Sequence, residues 1–193
     1  MHETFPTARL KAYAQQLGFA ALGVTRALPS PRLDAYLRWL ELGYHGTMAY
    51  MAREDRVARR RDLNIILPNV RSLIVVAVAY HTLSVPPHIL NDPSRGRIAA
   101  YAWGQDYHEV IAARLEQLAA WLRAEAGGLA YRVYVDTGAL LERSHAQQAG
   151  LGFIGKNTVL IDPRRGSYLL LGELLTDLVF DVYDTPHRET MCG

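Results

Sequence analysis

Ser72-Leu73-Ile74-Val75-Val76-Ala77-Val78-Ala79-Tyr80 decides the fold. After Ser72 it is apolar throughout and rich in β-branched residues, as expected of a strand covered on both faces. At this length it is far short of the roughly 20 residues a membrane-spanning helix needs. Working outward, Phe19–Val24, Tyr131–Val135, Phe153–Ile161 and Tyr168–Leu171 read as further strands, and Leu174–Phe180 extends the sheet. Helical spacing of apolar residues predicts helices over Thr7–Leu17, Pro31–Leu42, Met48–Arg60 and Leu140–Ala149. Asp106 is placed to cap a longer helix running to Ala126, with Glu109 completing a capping box and Gly127-Gly128 ending it. Thr82–Arg97, with three prolines and a glycine, reads as a long loop, and everything after Val182 as tail. Strands alternating with helices give an α/β (α+β) class: a central mixed sheet flanked by helices. One domain is expected over residues 1–182, followed by a separate tail at 183–193.

Composition bounds the function. The chain has 193 residues, of which 50% are hydrophobic and 21% charged, which excludes disorder and collagen-like repeats. No basic-then-apolar leader opens it, so a cytoplasmic protein is expected, with no membrane association. The net charge of +2 is too mild to announce a nucleic-acid binder. Lys11 and Lys156 are the only lysines, so arginine supplies the rest of the 21 basic residues. Arginine offers a planar fork to phosphates, although base composition explains the same skew. Cys192 is the only cysteine. It permits neither an intramolecular disulfide nor a cysteine cluster built from this chain alone.

Gly150, Gly152 and Gly155 have the spacing of a dinucleotide-binding turn. That fingerprint follows a strand and opens a helix. Here the order is reversed, so a tight helix-to-strand turn is expected. Asp136-Thr137-Gly138 directly follows a predicted strand, where ligands of open sheets sit. A carboxylate there, near Leu140 and Leu141, is placed to act as an acid, or else forms an Asx turn. Glu142-Arg143 and Lys156-Asn157 read as ordinary surface pairs, and Arg164-Arg165-Gly166-Ser167 as a β-turn or phosphate contact.

Taken in order, these pieces carry a resemblance. They are Ile65-Ile66-Leu67-Pro68, Tyr101-Ala102-Trp103-Gly104-Gln105-Asp106-Tyr107-His108 and Val135-Asp136-Thr137-Gly138-Ala139-Leu140-Leu141-Glu142-Arg143. Ala149-Gly150-Leu151-Gly152-Phe153-Ile154-Gly155-Lys156-Asn157-Thr158 and Gly166-Ser167-Tyr168 follow. The set resembles the epoxyqueuosine reductases, cobalamin- and iron–sulfur-dependent oxidoreductases of tRNA modification, across nearly the whole chain. The resemblance implies the N-terminal, cobalamin-binding part of such an enzyme, similar to cobalamin-processing and nitroreductase-like domains. It implies reduction of the epoxide of epoxyqueuosine to queuosine at the wobble position during queuosine biosynthesis.

By position, it makes Asp136 the proton donor and a cobalamin neighbour, Arg143 an active-site cation and Arg60 a cobalamin contact. Ala99, Leu160 and Leu171 become backbone or packing contacts around the corrin. Tyr107, His108, Lys156 and Asn157 match the motifs without an assigned role. Cys192-Gly193 looks like the start of a ferredoxin-like region, truncated here, which makes Cys192 an iron–sulfur ligand only where that region follows. Two 4Fe-4S clusters are then expected in the full-length protein and none in this chain, which alone is expected to be inactive. The implied partners are tRNA carrying epoxyqueuosine and an external electron donor, with the protein a monomer. Asp106-Tyr107-His108 also begins a signature by which other enzymes ligate cobalamin through histidine, but Ile111 stands at its glycine position. The sequence departs from the family at Arg61, where a small residue is usual, and at Ala139, which replaces the commoner proline. Two other readings stay open: a stand-alone cobalamin or flavin carrier without catalysis, and a tRNA-binding module using Arg56, Arg59 and Arg61.

Overall fold

The computed structural model describes residues 4–187 and Met191. Cys192 lies outside the described residues. Four strands build the main sheet: β1 (Ala21–Arg26), β2 (Ser72–Ala79), β3 (Tyr131–Tyr134) and β6 (Leu169–Thr176), in the order β1-β2-β6-β3. Two residues each from β4 (Phe153–Ile154) and β5 (Leu160–Ile161) form a separate hairpin. The helices are α1 (Thr7–Gln16), α2 (Leu33–Glu41), α3 (Glu54–Arg61), α4 (Pro87–Leu90), α5 (Tyr107–Ala126) and α6 (Glu142–Gln148).

The sheet is antiparallel in all its pairings, where a mixed sheet was expected. Among the described residues the one parallel contact is the isolated bridge Phe5–Phe180. Alternating helices and strands do not by themselves set strand direction. Here β6 enters where β2 and β3 leave, pairing Leu169 with Ala79 and Glu173 with Tyr134.

The apolar run of β2 is explained by two cores. Ile74 and Val76 face α1 and α5, meeting Leu10, Ile111, Leu115 and Leu118. Leu73, Val75 and Ala77 face the opposite way, into a cluster with Leu67, Leu140, Ala146 and Leu160. The helix expected over Met48–Arg60 is interrupted. A 3₁₀ turn covers Ala49–Met51, Arg53 is extended (ψ 133°), and α3 begins at Glu54. Glu54 and Asp55 then sit at its positive end and Arg59, Arg60 and Arg61 at its negative end, as the helix dipole favours. The long loop after β2 contains one short helix, α4.

Asp106 caps α5 by accepting from the His108 N–H, and Gly127 closes the helix in the left-handed conformation. Gly150 (φ 74°) turns the chain out of α6, and a Cβ on Gly152 would sit 2.3 Å from the Ile161 carbonyl oxygen. The glycine triplet is therefore a packing turn between helix and strand. Residues 183–187, read from the sequence as the start of a tail, are docked on the domain through Asp184. The Asp184 carboxylate accepts from the Val24 N–H at 2.9 Å and from Lys11 at 2.5 Å. Among the described residues no helix is long and apolar enough to cross a membrane.

Candidate active site

A cleft of about 630 Å³ opens where β3 leaves the sheet. Its polar lining comes from α3 (Arg56, Arg60), the β3–α6 loop (Asp136) and the start of α6 (Glu142, Arg143); Trp39, Leu140 and Ile154 supply apolar walls. A second hollow of about 650 Å³ lies between α1, the start of β1 and the Asp162–Arg165 turn. Two of its cations are already paired, Lys11 with Asp184 and Arg165 with Asp162 at 2.8 Å. It contains none of the motif residues from the β3–α6 loop, and the chemistry is sought in the first cleft.

Asp136 adopts φ 57°, a left-handed conformation that aspartate tolerates better than most residues. Arg56 fixes the loop beside it, donating to the carbonyls of Thr137 at 3.1 Å and Gly138 at 3.5 Å. The Asp136 side chain is 67% exposed. Tyr107 donates its hydroxyl to Asp136 Oδ2 at 2.8 Å, and His108 Nε2 lies 3.7 Å from the same oxygen. The other imidazole nitrogen, Nδ1, is 2.7 Å from Asp106 Oδ1. Burial and the Asp136 carboxylate hold the Tyr107 hydroxyl far above the usual tyrosine range. Asp106 is held below the usual carboxylate range by the backbone N–H of His108, then by its imidazole.

Arg60 is 5% exposed. Its guanidinium lies 4.8 Å from the Tyr36 ring centroid and donates to the Arg56 carbonyl at 3.3 Å. Its Nε is buried without a partner among the described residues. Arg143 donates to the Thr158 carbonyl and, at 3.4 Å, to Thr158 Oγ1, tying α6 to the β4–β5 turn. Behind the cleft, Glu173 is fully buried on β6 and meets His145 Nδ1 at 3.0 Å. Glu142 Oε1 is buried without a hydrogen-bond partner among the described residues. Burial, and then the Glu173 charge, push the Glu142 carboxyl up to about 8, with Arg60 opposing the shift.

Of the six residues expected at the site, Asp136, Arg143 and Arg60 meet at this cleft. Ala99, Leu160 and Leu171 do not line it. Ala99 is exposed before the Ala100–Ala102 turn. Leu160 is buried in the core behind the cleft, and Leu171 pairs with Ala77 and packs on the same core. The buried Glu142, His145 and Glu173 went unread. Glu142 looked like half of a surface pair, and the available signal for Glu173 was a lone acid inside the run Leu169–Thr176. Asn157 accepts from the Val159 N–H at 3.1 Å and shapes the β4–β5 turn.

Residues 60–137 match the family model described as Epoxyqueuosine reductase QueG, DUF1730. Epoxyqueuosine reductase of Gloeobacter violaceus is 42% identical over 191 residues, covering 97% of this chain and 57% of that protein. This chain matches the epoxyqueuosine reductase family. It spans about half the length of the curated epoxyqueuosine reductases it matches. A crystal structure of epoxyqueuosine reductase with an epoxyqueuosine-modified tRNA-Tyr stem loop superposes with TM-score 0.82 at 29% identity, covering 97% of this chain and 48% of that one. The Bacillus subtilis epoxyqueuosine reductase, with an aspartate catalytic loop swung out of its active site, matches at TM-score 0.80 and 28% identity over 97% of this chain and 48% of its own. A catabolic reductive dehalogenase shares the fold at TM-score 0.59 and 19% identity.

Proposed function

We propose that this chain is the cobalamin-binding, proton-donating part of an epoxyqueuosine reductase, acting on epoxyqueuosine at the tRNA wobble position. The observation that carries the reading is Asp136. It sits at a strand end on the rim of a cleft, its loop held by Arg56 and one carboxylate oxygen held by Tyr107. Both neighbours approach Oδ2, which leaves Oδ1 for a substrate oxygen.

Several features fit a large amide-rich corrinoid. Arg60 Nε is a buried donor without an acceptor among the described residues, and Trp39, Leu140 and Ile154 give the cleft apolar walls. In this reading Arg60 holds the cofactor and Arg143 places a positive charge beside the reacting groups. Reduced cobalamin, when bound, supplies electrons to the epoxide carbon. Asp136 protonates the departing epoxide oxygen, a contribution worth roughly 10²–10⁴ in rate. Tyr107 keeps its own proton and orients the carboxyl. Cys192 becomes the first iron–sulfur ligand where a cysteine-bearing region follows residues 183–193. In that full-length setting, 4Fe-4S clusters would supply the path for electrons from an external donor. The protein works as a cytoplasmic monomer on tRNA.

Titrating the purified chain with cobalamin tests the cofactor assignment. A saturable change in the corrin absorption bands, weakened in Arg60→Ala, is expected. Tight flavin binding with no corrin response would overturn it.

A further inference from the structure

Converting an epoxide to an alkene takes two electrons and two protons and releases one water. A single carboxyl holds one proton, so a site that uses Asp136 as donor must reload it within each turnover. Tyr107 is poorly suited to that task, because its hydroxyl proton is retained by burial and by the Asp136 charge. His108 is the better candidate. Its Nε2 lies 3.7 Å from Asp136 Oδ2, close enough for one small approach or a bridging water. Its Nδ1 is 2.7 Å from Asp106, whose Oδ1 also accepts the His108 backbone N–H at 2.9 Å. Asp106 is fixed by capping α5, so the ring is aimed by the helix terminus itself. An ionised Asp106 only accepts, which puts the Nδ1 proton on the Asp106 side and turns Nε2 toward Asp136. The imidazole is 37% exposed and can exchange protons with water. The other titratable groups of the cluster are Tyr107, stacked on the ring at 4.0 Å between centroids, and Tyr101 near Tyr107.

We propose that His108, oriented by Asp106, is the proton relay that reloads Asp136 between the two proton transfers. This rests on the reading of Asp136 given above. In the first transfer, one C–O bond breaks and Asp136 gives its proton to that oxygen, leaving a hydroxyl on the adjacent carbon. His108 takes up a proton from water at Nε2 and, as the imidazolium, passes it to Asp136, returning to the ring protonated at Nδ1. In the second transfer, Asp136 protonates the hydroxyl, which leaves as water as the carbon–carbon π bond forms. The two electrons come from a low-potential chemical or protein reductant through the bound corrinoid. The sum is epoxide, two electrons and two protons to alkene and water.

The test uses this chain loaded with cobalamin, titanium(III) citrate as reductant and an epoxyqueuosine-containing stem loop. His108→Gln is expected to keep corrin binding and to lose at least about 10²-fold in turnover. Added imidazole should restore part of the loss, whereas Asp136→Asn should lose roughly 10²–10⁴ in rate and be unresponsive to imidazole. His108→Gln within about twofold of wild type, or inactive without imidazole rescue, overturns the relay while leaving Asp136 in place. Full turnover by Asp136→Asn overturns the parent reading instead. Independently of activity, ¹⁵N NMR of the wild-type chain should show neutral His108 protonated at Nδ1. A neutral ring protonated at Nε2 overturns the relay without any variant.

Discussion

The two faces of the sheet are built to different rules. Against α1 and α5, the apolar side chains of Leu10, Val24, Ile74, Leu115, Leu118 and Leu174 are all fully buried, and the buried polar groups beside them are the uncharged Thr7, Ser72 and Thr176. Against α6, the same strands bury Glu173 and His145, with Arg60 and the Glu142 carboxyl close behind the cleft. Burying ionisable groups costs stability unless they are paired, and each of these four side chains leaves a buried atom unpartnered among the described residues. One face is therefore spent on packing, and the other holds charge where a ligand and a reaction are expected.

Changes on each face should separate these roles. The largest expected loss comes from His145→Ala, which leaves the fully buried Glu173 carboxyl without its partner. Chemical unfolding should register about 3–5 kcal/mol. Leu115→Ala on the packing face should cost about 2–5 kcal/mol and leave the corrin affinity of the folded fraction unchanged. A large affinity loss there would blur the division between the faces.

Glu142 gives a pH signature. Its carboxyl is raised to about 8 in the folded chain from an ordinary value of 4.5. The folded state thus holds this proton more tightly than the unfolded state does. Its stabilising effect is present below about 4.5 and is lost as pH rises toward 8. Glu142→Gln should flatten the fall in Tm between about pH 5 and 8, by a few degrees. An unchanged slope would place the charge cost elsewhere. The smallest effect is expected at the exposed pair Arg9–Glu125: Arg9→Ala should shift stability by no more than about 1 kcal/mol.

Much of this was legible in the sequence, for physical reasons. The apolar run of β2 announced a strand covered on both faces, and Asp106 announced a helix start, because both signals are local. Strand direction was not legible, since it depends on where β6 is inserted. The docking of residues 183–187 is not legible in the sequence, because one aspartate side chain, Asp184, holds them to β1 and α1. At the site, Asp136 could be read from its place after a strand. Glu142 could not, because spacing alone does not reveal that α6 turns its first carboxyl inward beside Glu173. His108 read as part of a cap, and it is one; its second contact comes from a loop 28 residues away.

The most direct measurement is single-turnover reduction of an epoxyqueuosine stem loop by the chain carrying chemically reduced cobalamin, comparing wild type with Asp136→Asn. Product from wild type, with a loss of roughly 10²–10⁴ in rate and an unchanged corrin spectrum in Asp136→Asn, is the expected result. Equal rates for the two proteins would contradict the account at its centre.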